Sequence, residues 1–317
     1  MTESYSFYFN DGRRFLQHPI FTFVVDDLVY IQRFDIEFGY MQRQWEGQPL
    51  EGKSLEEHAK AYTDRITPVP TDIVSKTIPL HPGKYYPRIH KPGLKEANFP
   101  ENHFNVIDRK VLGQSLITAN IILKKLSSIF ETVSPDVANE TVYGHELRNL
   151  LLLSAMEVES AWSAILRANN YQFNTKQNGD INSSTNDYVK LCKPLHLDKY
   201  KVSFVLHSDL QDIKPFENWI DSNPTTSLNW YNAYNKVKHD REQNLILASL
   251  KNAINSVAGV LVMLRAQFGE EQTFWSQGEF ANIFIELDKA YNLEDYYVPF
   301  SNDKHIPCNW SAINYEF

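Results

Sequence analysis

Leu247, Leu250, Ile254, Val257, Leu261, Leu264 and Phe268 recur at spacings of 3, 4, 3, 4, 3 and 4. That is the period of a helix presenting one continuous apolar edge. Such an edge is stable only when another element covers it, so the chain must fold around helix-on-helix packing. Two further stretches carry the same period. Leu112, Leu116, Ala119, Leu123, Leu126 and Phe130 define one helical face. Residues 146–167 (ELRNLLLLSAMEVESAWSAILR) read as a helix apolar nearly all round in its first half, as expected at the centre of a bundle. Just upstream of the seam, SLNWYNAYNKVKHDRE is helical in character, with Ser227 or Thr226 placed to cap it. One helix over 228–268 would run roughly 60 Å at about 1.5 Å per residue, too long for a compact domain. A break is therefore expected near 240–244.

Outside this region the pattern changes. Residues 21–38 (FTFVVDDLVYIQRFDIEF) mix β-branched and aromatic side chains without a helical period, which suits strands and a hairpin at Asp26-Asp27. Seven prolines fall between Pro68 and Pro100, so that stretch should be extended. Its aromatics Tyr85, Tyr86, Phe99 and Phe104 suit a segment lying against a surface. Lys84, Arg88, Lys91 and Lys95 interleave with Tyr85, Tyr86 and His90, which fits either a phosphate-binding patch or a proline-rich strap. Residues 169–186 form a polar connector, the best candidate for a mobile loop, and YKVSFVL (200–206) reads as a short strand. Phe274, Trp275, Tyr296, Tyr297 and Trp310 should fold the tail back onto the body. The expected fold is mainly α: a helical bundle over 106–270, an extended, partly β region over 1–105, and an aromatic C-terminal tail over 271–317.

Composition removes several function classes. Lys and Arg number 31 against 39 Asp and Glu, a net charge of −8, so non-specific coating of nucleic acid is disfavoured while a local basic site stays open. Cys192 and Cys308 are far apart and outside any CxxC, which supports neither a disulfide framework nor a zinc module. His58, His81, His90 and His103 lack ligand spacing, so no metal is expected. Walker A, GxSxG and HExxH motifs are absent, and no cofactor is expected. The longest apolar run, near 257–264, falls short of the roughly 18–20 residues of a membrane span. The opening MTESYSFYFNDGRRF lacks the order of a secretory signal. A cytoplasmic protein without membrane attachment is expected.

The densest set of reactive side chains lies at 230–241. On a helix, Asn232, Asn235, His239 and Glu242 form one polar stripe. Continued, the stripe meets Ile246, Leu250, Ala253 and Val257, which places His239 where a core-facing seam turns polar. A site at the mouth of a bundle is built that way, and so is a structural histidine. Glu157 and Glu159 stand within LLLLSAMEVESAW, and a buried carboxylate needs a cation. Lys238, His239 and Arg241 are the supply, for a structural ion pair or for a catalytic one.

YGHELRNLLLLSAMEVESAW, followed by WYNAYNKVKHDRE and an Ala/Leu-rich helix, resembles the HEPN (higher eukaryote and prokaryote nucleotide-binding) superfamily. More narrowly it is similar to bacterial members with a YN-x-x-KH-x-R signature, over about 142–268. The resemblance implies a helical bundle that often forms a homodimer and acts on RNA. In many members this is a metal-independent endoribonuclease of toxin–antitoxin or antiviral defence systems, with an Arg and a His four to six residues apart promoting attack by the RNA 2′-hydroxyl. His239 matches the histidine. Asn232 and Asn235 occupy the region of the arginine, and Arg241 follows the histidine instead; many members bind without cleaving. The implied catalytic set is His239, Arg241 and Lys238, supported by Asn232, Asn235, Glu157, Glu159 and Asp240. The alternative is a non-catalytic interaction protein with a structural His239 cluster and a protein partner recruited by the strap or tail.

Overall fold

The computed structural model describes residues 4–10, 20–25, 28–35, 40–49, 51–66, 72–77, 80–91, 108–269, 278–289, 297 and 310–317. Expectations placed on Asp26, Asp27, Lys95, Phe99, His103, Phe104, Phe274, Trp275, Tyr296, Cys308 and five of the seven prolines lie outside them. The chain divides into two compact units. One comprises 1–86, 91–108 and 290–313; the other comprises 87–90, 109–289 and 314–317.

The first unit holds a five-stranded antiparallel sheet of order β4-β3-β2-β1-β5. Its strands are β1 (Ser4–Asn10), β2 (Ile20–Val25), β3 (Leu28–Asp35), β4 (Tyr40–Pro49) and β5 (Asp72–Thr77). Val25 pairs with Leu28, so β2 and β3 make the hairpin that the sequence called for. Phe23, Val29 and Ile31 are buried, with Phe23 and Tyr30 stacked across the pair at 5.8 Å. Helix α1 (Leu55–Ile66) packs on the sheet through Leu55 and Ala59, one turn apart. Its start is written in Ser54-Leu-Glu-Glu57. The Glu57 N–H donates to Ser54 Oγ (3.2 Å) and the Ser54 N–H donates to Glu57 Oε2 (2.6 Å), a reciprocal cap.

In the same unit β6 (Lys84–Tyr85) pairs in parallel with β9 (Ser311–Ala312). Leu80 and Tyr297 are buried among Tyr85, Tyr86, Trp310 and Ile313. The Tyr86 N–H donates to Tyr297 Oη (3.0 Å), Lys84 Nζ donates to Ser311 Oγ (2.6 Å), and Lys91 Nζ lies 5.9 Å from the Tyr297 ring. Lys84 and Lys91, two of the basic residues of this stretch, are thus engaged with Ser311 and the Tyr297 ring.

The second unit is mainly helical with a few short strands. Its helices are α2 (Arg109–Phe130), α3 (His145–Ala168), α4 (Thr185–Tyr188), α5 (Asn229–His239), α6 (Arg241–Asn244) and α7 (Leu250–Phe268). Strands β7 (Tyr200–Phe204) and β8 (Ile283–Leu287) pair antiparallel beside them. Every residue of α7 from Ser256 to Leu264 is buried, because α2, α3 and α5 all pack against it. Gly259 lets the helices close: a Cβ there would stand 3.4 Å from Trp230 and 3.5 Å from Phe216 and Val158. Trp162 of α3 is fully buried in an aromatic cluster, stacked on Trp219 at 4.8 Å.

The break between α5 and α7 is present, with consequences for the seam. Leu247 lies in a 3₁₀ turn, so the seam starts at Leu250, behind a Ser249 cap whose Oγ accepts the Asn252 N–H (3.3 Å). Ser227 does not cap α5; its Oγ accepts the Ile220 N–H instead (3.2 Å). Gly269, at φ +77°, ends α7, and the Pro87–His90 segment seats there. The His90 N–H donates to the Ala266 carbonyl (2.9 Å), and Asn169 Nδ2 donates to that of Pro87 (2.9 Å). Residues 169–186 are folded. Thr175 bridges Ile181 around a turn with Gly179 at φ +84°, and a Ser184–Asp187 cap starts α4. Among the described residues no helix is long and apolar enough to cross a membrane.

Candidate functional site

Three α5 side chains, Tyr231, Tyr234 and Lys238, stand at i, i+3 and i+7 and so share one edge. That edge meets Glu159 of α3. Tyr231 Oη donates to Glu159 Oε1 (2.5 Å) and Tyr234 Oη donates to Glu159 Oε2 (2.9 Å). Lys238 Nζ donates in turn to Tyr234 Oη (2.9 Å), with the ammonium 4.9 Å from the same ring's centroid. Burial first, and then the adjacent carboxylate, push both phenols well above the ordinary tyrosine value, so both remain donors. A polar relay therefore runs from an exposed lysine into the flank of the aromatic cluster: Lys238, Tyr234, Glu159, Tyr231.

The expected link between the α3 carboxylates and the Lys238–Arg241 segment needs correcting in two respects. Glu159 is joined to that segment through phenols, not by direct contact with a cation. Glu157 does not join it at all. Residues two apart on a helix point about 200° from each other, so one neighbour cannot serve both. Glu157 faces the opposite flank of α3, where burial raises its pKa and the Arg88 guanidinium opposes that rise through charge alone.

No family model, no curated protein and no solved structure matches the chain.

His239 is the last residue of α5, and both it and Arg241 are exposed. Among the described residues no hydrogen bond or ion pair holds either side chain. The stripe of Asn232, Asn235, His239 and Glu242 does not run continuously into the core, although Leu250, Ala253 and Val257 are buried there as expected. Asp240 breaks the helix, the phase is lost, and Ile246 is 60 % exposed. Asp240 itself is a cap: its Oδ1 accepts the Gln243 N–H (3.2 Å) at the start of α6. Asn232 and Asn235 sit half-buried on the flank that leads to His239. The structure thus brings together Lys238, Glu159, Tyr231 and Tyr234, leaves His239 and Arg241 at the surface beside them, and sets Glu157 elsewhere.

Tyr231 and Tyr234 are site residues that a search for a counter-cation overlooks. Their signal was the i, i+3, i+7 relation to Lys238, combined with a carboxylate needing donors of any kind. Chemically, the junction of α5 and α6 offers an imidazole at the end of one helix and a guanidinium two residues on, at the start of the next, with α5 anchored to α3. Among the described residues no three His, Cys, Asp or Glu side chains are grouped as a metal requires.

Proposed function

We propose that this chain is a HEPN-like RNA-targeting protein whose second unit is a helical bundle and whose RNA-facing surface is the end of α5. One observation carries the reading. The signature segment keeps His239 and Arg241 exposed, while its Lys238 is tied through Tyr234 to Glu159 of the other helix that bears the resemblance. A surface that must hold a phosphodiester needs its helix terminus fixed, and the relay fixes it. Cleavage there is a transesterification: the ribose 2′-oxygen bonds to phosphorus as the 5′-oxygen leaves. His239 serves as base for the first oxygen or acid for the second, and Arg241 neutralises the phosphate. Antiviral defence or a toxin–antitoxin system is the setting the resemblance suggests, and pairing into a homodimer belongs to the same reading.

A second reading has its own observation. Among the described residues no partner orients the His239 imidazole, whereas a histidine base is ordinarily held in one tautomer by a second group. The cluster would then be structural, in a non-catalytic protein that engages a protein partner. Incubating the purified chain with mixed RNA in EDTA, beside His239→Ala and Arg241→Ala, separates the two. Cleavage by the unmodified chain, lost in His239→Ala while both melt alike, supports the nuclease. Retention of RNA without cleavage, weakened in both variants, supports RNA targeting by binding. No cleavage and no RNA retention by the unmodified chain rejects RNA as the target.

A further inference from the structure

The end of α5 lies beside a face of α3 that carries a further cation. Trp162 meets Trp230 and Tyr231, while Glu159 meets Tyr231 and Tyr234. Partners on α3 step down the sequence as those on α5 step up, so the two helices run antiparallel. Arg148, Leu152, Ala155, Glu159 and Trp162 follow at spacings of 4, 3, 4 and 3, the period of one helical face. That face carries Arg148 past the level of His239. From Glu159 to Arg148 is ~16.5 Å along α3 and from Tyr234 to His239 ~7.5 Å along α5, an offset of roughly 9 Å. The connection out of α5 closes the far side. Ser249 bridges Tyr143, the Leu250 N–H donates to the Val142 carbonyl (2.7 Å), and the Lys251 N–H donates to that of Glu140 (3.0 Å). Along α3, Arg148 thus stands between His239 and this bridge.

The Arg148 guanidinium is uncompensated among the described residues. Its Nε is buried and has no hydrogen-bond partner. Its side chain makes one hydrogen bond, from Nη1 to Asn149 Oδ1 at 3.4 Å, beyond the usual range for such bonds. No carboxylate pairs with it, and those of the surrounding segments are committed or turned away. Glu159 takes two phenols, Glu140 takes Lys251 Nζ (2.8 Å), and Asp240 caps α6. Glu146 lies two residues away on α3, about 200° round the helix. Glu242 is exposed on α6. A guanidinium keeps its charge at any ordinary pH, so an unpaired, half-buried one costs the fold stability. An anion that completes the site offsets that cost.

We propose that Arg148 is a second phosphate-binding residue of the α5 surface, holding an RNA phosphate further along the strand from the one at His239 and Arg241. The inference rests on the RNA reading of that surface. The axial offset suits a different phosphate of the strand, so the cations lay the RNA along α3 toward the Tyr143–Ser249 bridge. With Nε buried, the Nη edge of the fork is the one that meets the phosphate oxygens. A contact of this kind positions the strand and reads no base.

Fluorescence anisotropy of a labelled, single-stranded oligouridine RNA with 2′-O-methyl riboses, which 2′-attack cannot cleave, tests this on the full chain across a salt series. Arg148→Met keeps the apolar stem and removes the charge. It should weaken binding at least tenfold and flatten the slope of log affinity against log salt by about 0.7, one phosphate contact on a single strand. Arg148→Lys keeps the charge and should keep the slope. Without RNA, Arg148→Met should melt no lower than the unmodified chain, because no partner is lost; an arginine that serves the fold would make it melt lower. Binding by the unmodified chain, with affinity and slope unchanged in Arg148→Met, overturns the inference and leaves the RNA reading standing. No binding by the unmodified chain overturns both. An Arg148→Met chain that melts lower or fails to fold makes the residue structural and also overturns the inference.

Discussion

Glu159 and Glu157 show how much two side chains on one helix can differ. Glu159 accepts from two phenols whose burial keeps them protonated. Removing either hydroxyl takes a hydrogen bond from a part-buried carboxylate and should lower stability by about 1–3 kcal/mol. Tyr231→Phe and Tyr234→Phe are each expected to lower the urea midpoint with an unchanged slope; midpoints equal to that of the unmodified chain would place Glu159 in solvent. Glu157 behaves in the opposite sense. Burial raises its pKa in the folded chain, so folding binds its proton more tightly than the unfolded chain does. Its contribution to stability is fully present below the ordinary carboxyl value of 4.5 and is lost as pH rises through the higher folded value. Glu157→Gln should therefore melt slightly above the unmodified chain at pH 7, with the difference vanishing near pH 4. A Gln variant that melts lower at pH 7 would mean Glu157 is a satisfied anion. Part of this was legible in the sequence, because carboxylates inside LLLLSAMEVESAW demand partners. Which partners was not, since Arg88 arrives from a distant segment and the phenols carry no charge to attract notice.

Among elements, α7 follows most directly from its sequence. Its period specifies a covered helix, and the structure covers it on every side from Ser256 to Leu264. Gly259 marks how close that cover is. An alanine Cβ there would rest at ordinary contact distance, 3.4 Å from Trp230, while helix propensity favours Ala over Gly by about 0.8–1.0 kcal/mol. Gly259→Ala should accordingly be neutral or raise stability by up to roughly 1 kcal/mol. Gly259→Leu drives extra atoms into Trp230, Phe216 and Val158 and should lower it by about 1–3 kcal/mol. Calorimetric melts of the two variants check this pair, and a stabilised Leu variant would show a loose contact. The break after α5 could be foreseen from length alone, because a 60 Å rod does not fit roughly this size of domain. The phase beyond the break could not: once Asp240 caps a new turn, the azimuth of Ile246 bears no relation to that of His239. Helix α1 escaped because it stands between strands in a stretch read as irregular and partly β, although its start carries a reciprocal Ser54–Glu57 cap.

For the whole molecule, a net charge of −8 makes any attraction to RNA local, confined to places such as the end of α5. A homodimer would carry two such places and raise effective affinity for one RNA without any new contact. The described surface offers a candidate face for pairing. Ile117 and Ile121 lie one turn apart on α2, 63 % and 48 % exposed, on the side away from the buried Leu112, Ala119, Leu123 and Leu126. Scattered exposed apolar residues are ordinary. Two in register on a single helix instead make a short ridge, and in a two-fold pair the same ridge meets its own copy. A stable pair buries about 800 Å² per partner, so these residues would stand at the centre of a larger contact. Light scattering at micromolar concentration is expected to give twice the 36.8 kDa of one chain. Ile117→Glu with Ile121→Glu should give the single-chain mass with unchanged circular dichroism, because neither side chain belongs to the core. High salt should leave the unmodified pair intact, since an apolar contact is not screened. A single-chain mass for the unmodified protein rejects the homodimer, and a dimer that survives both substitutions moves the interface off α2.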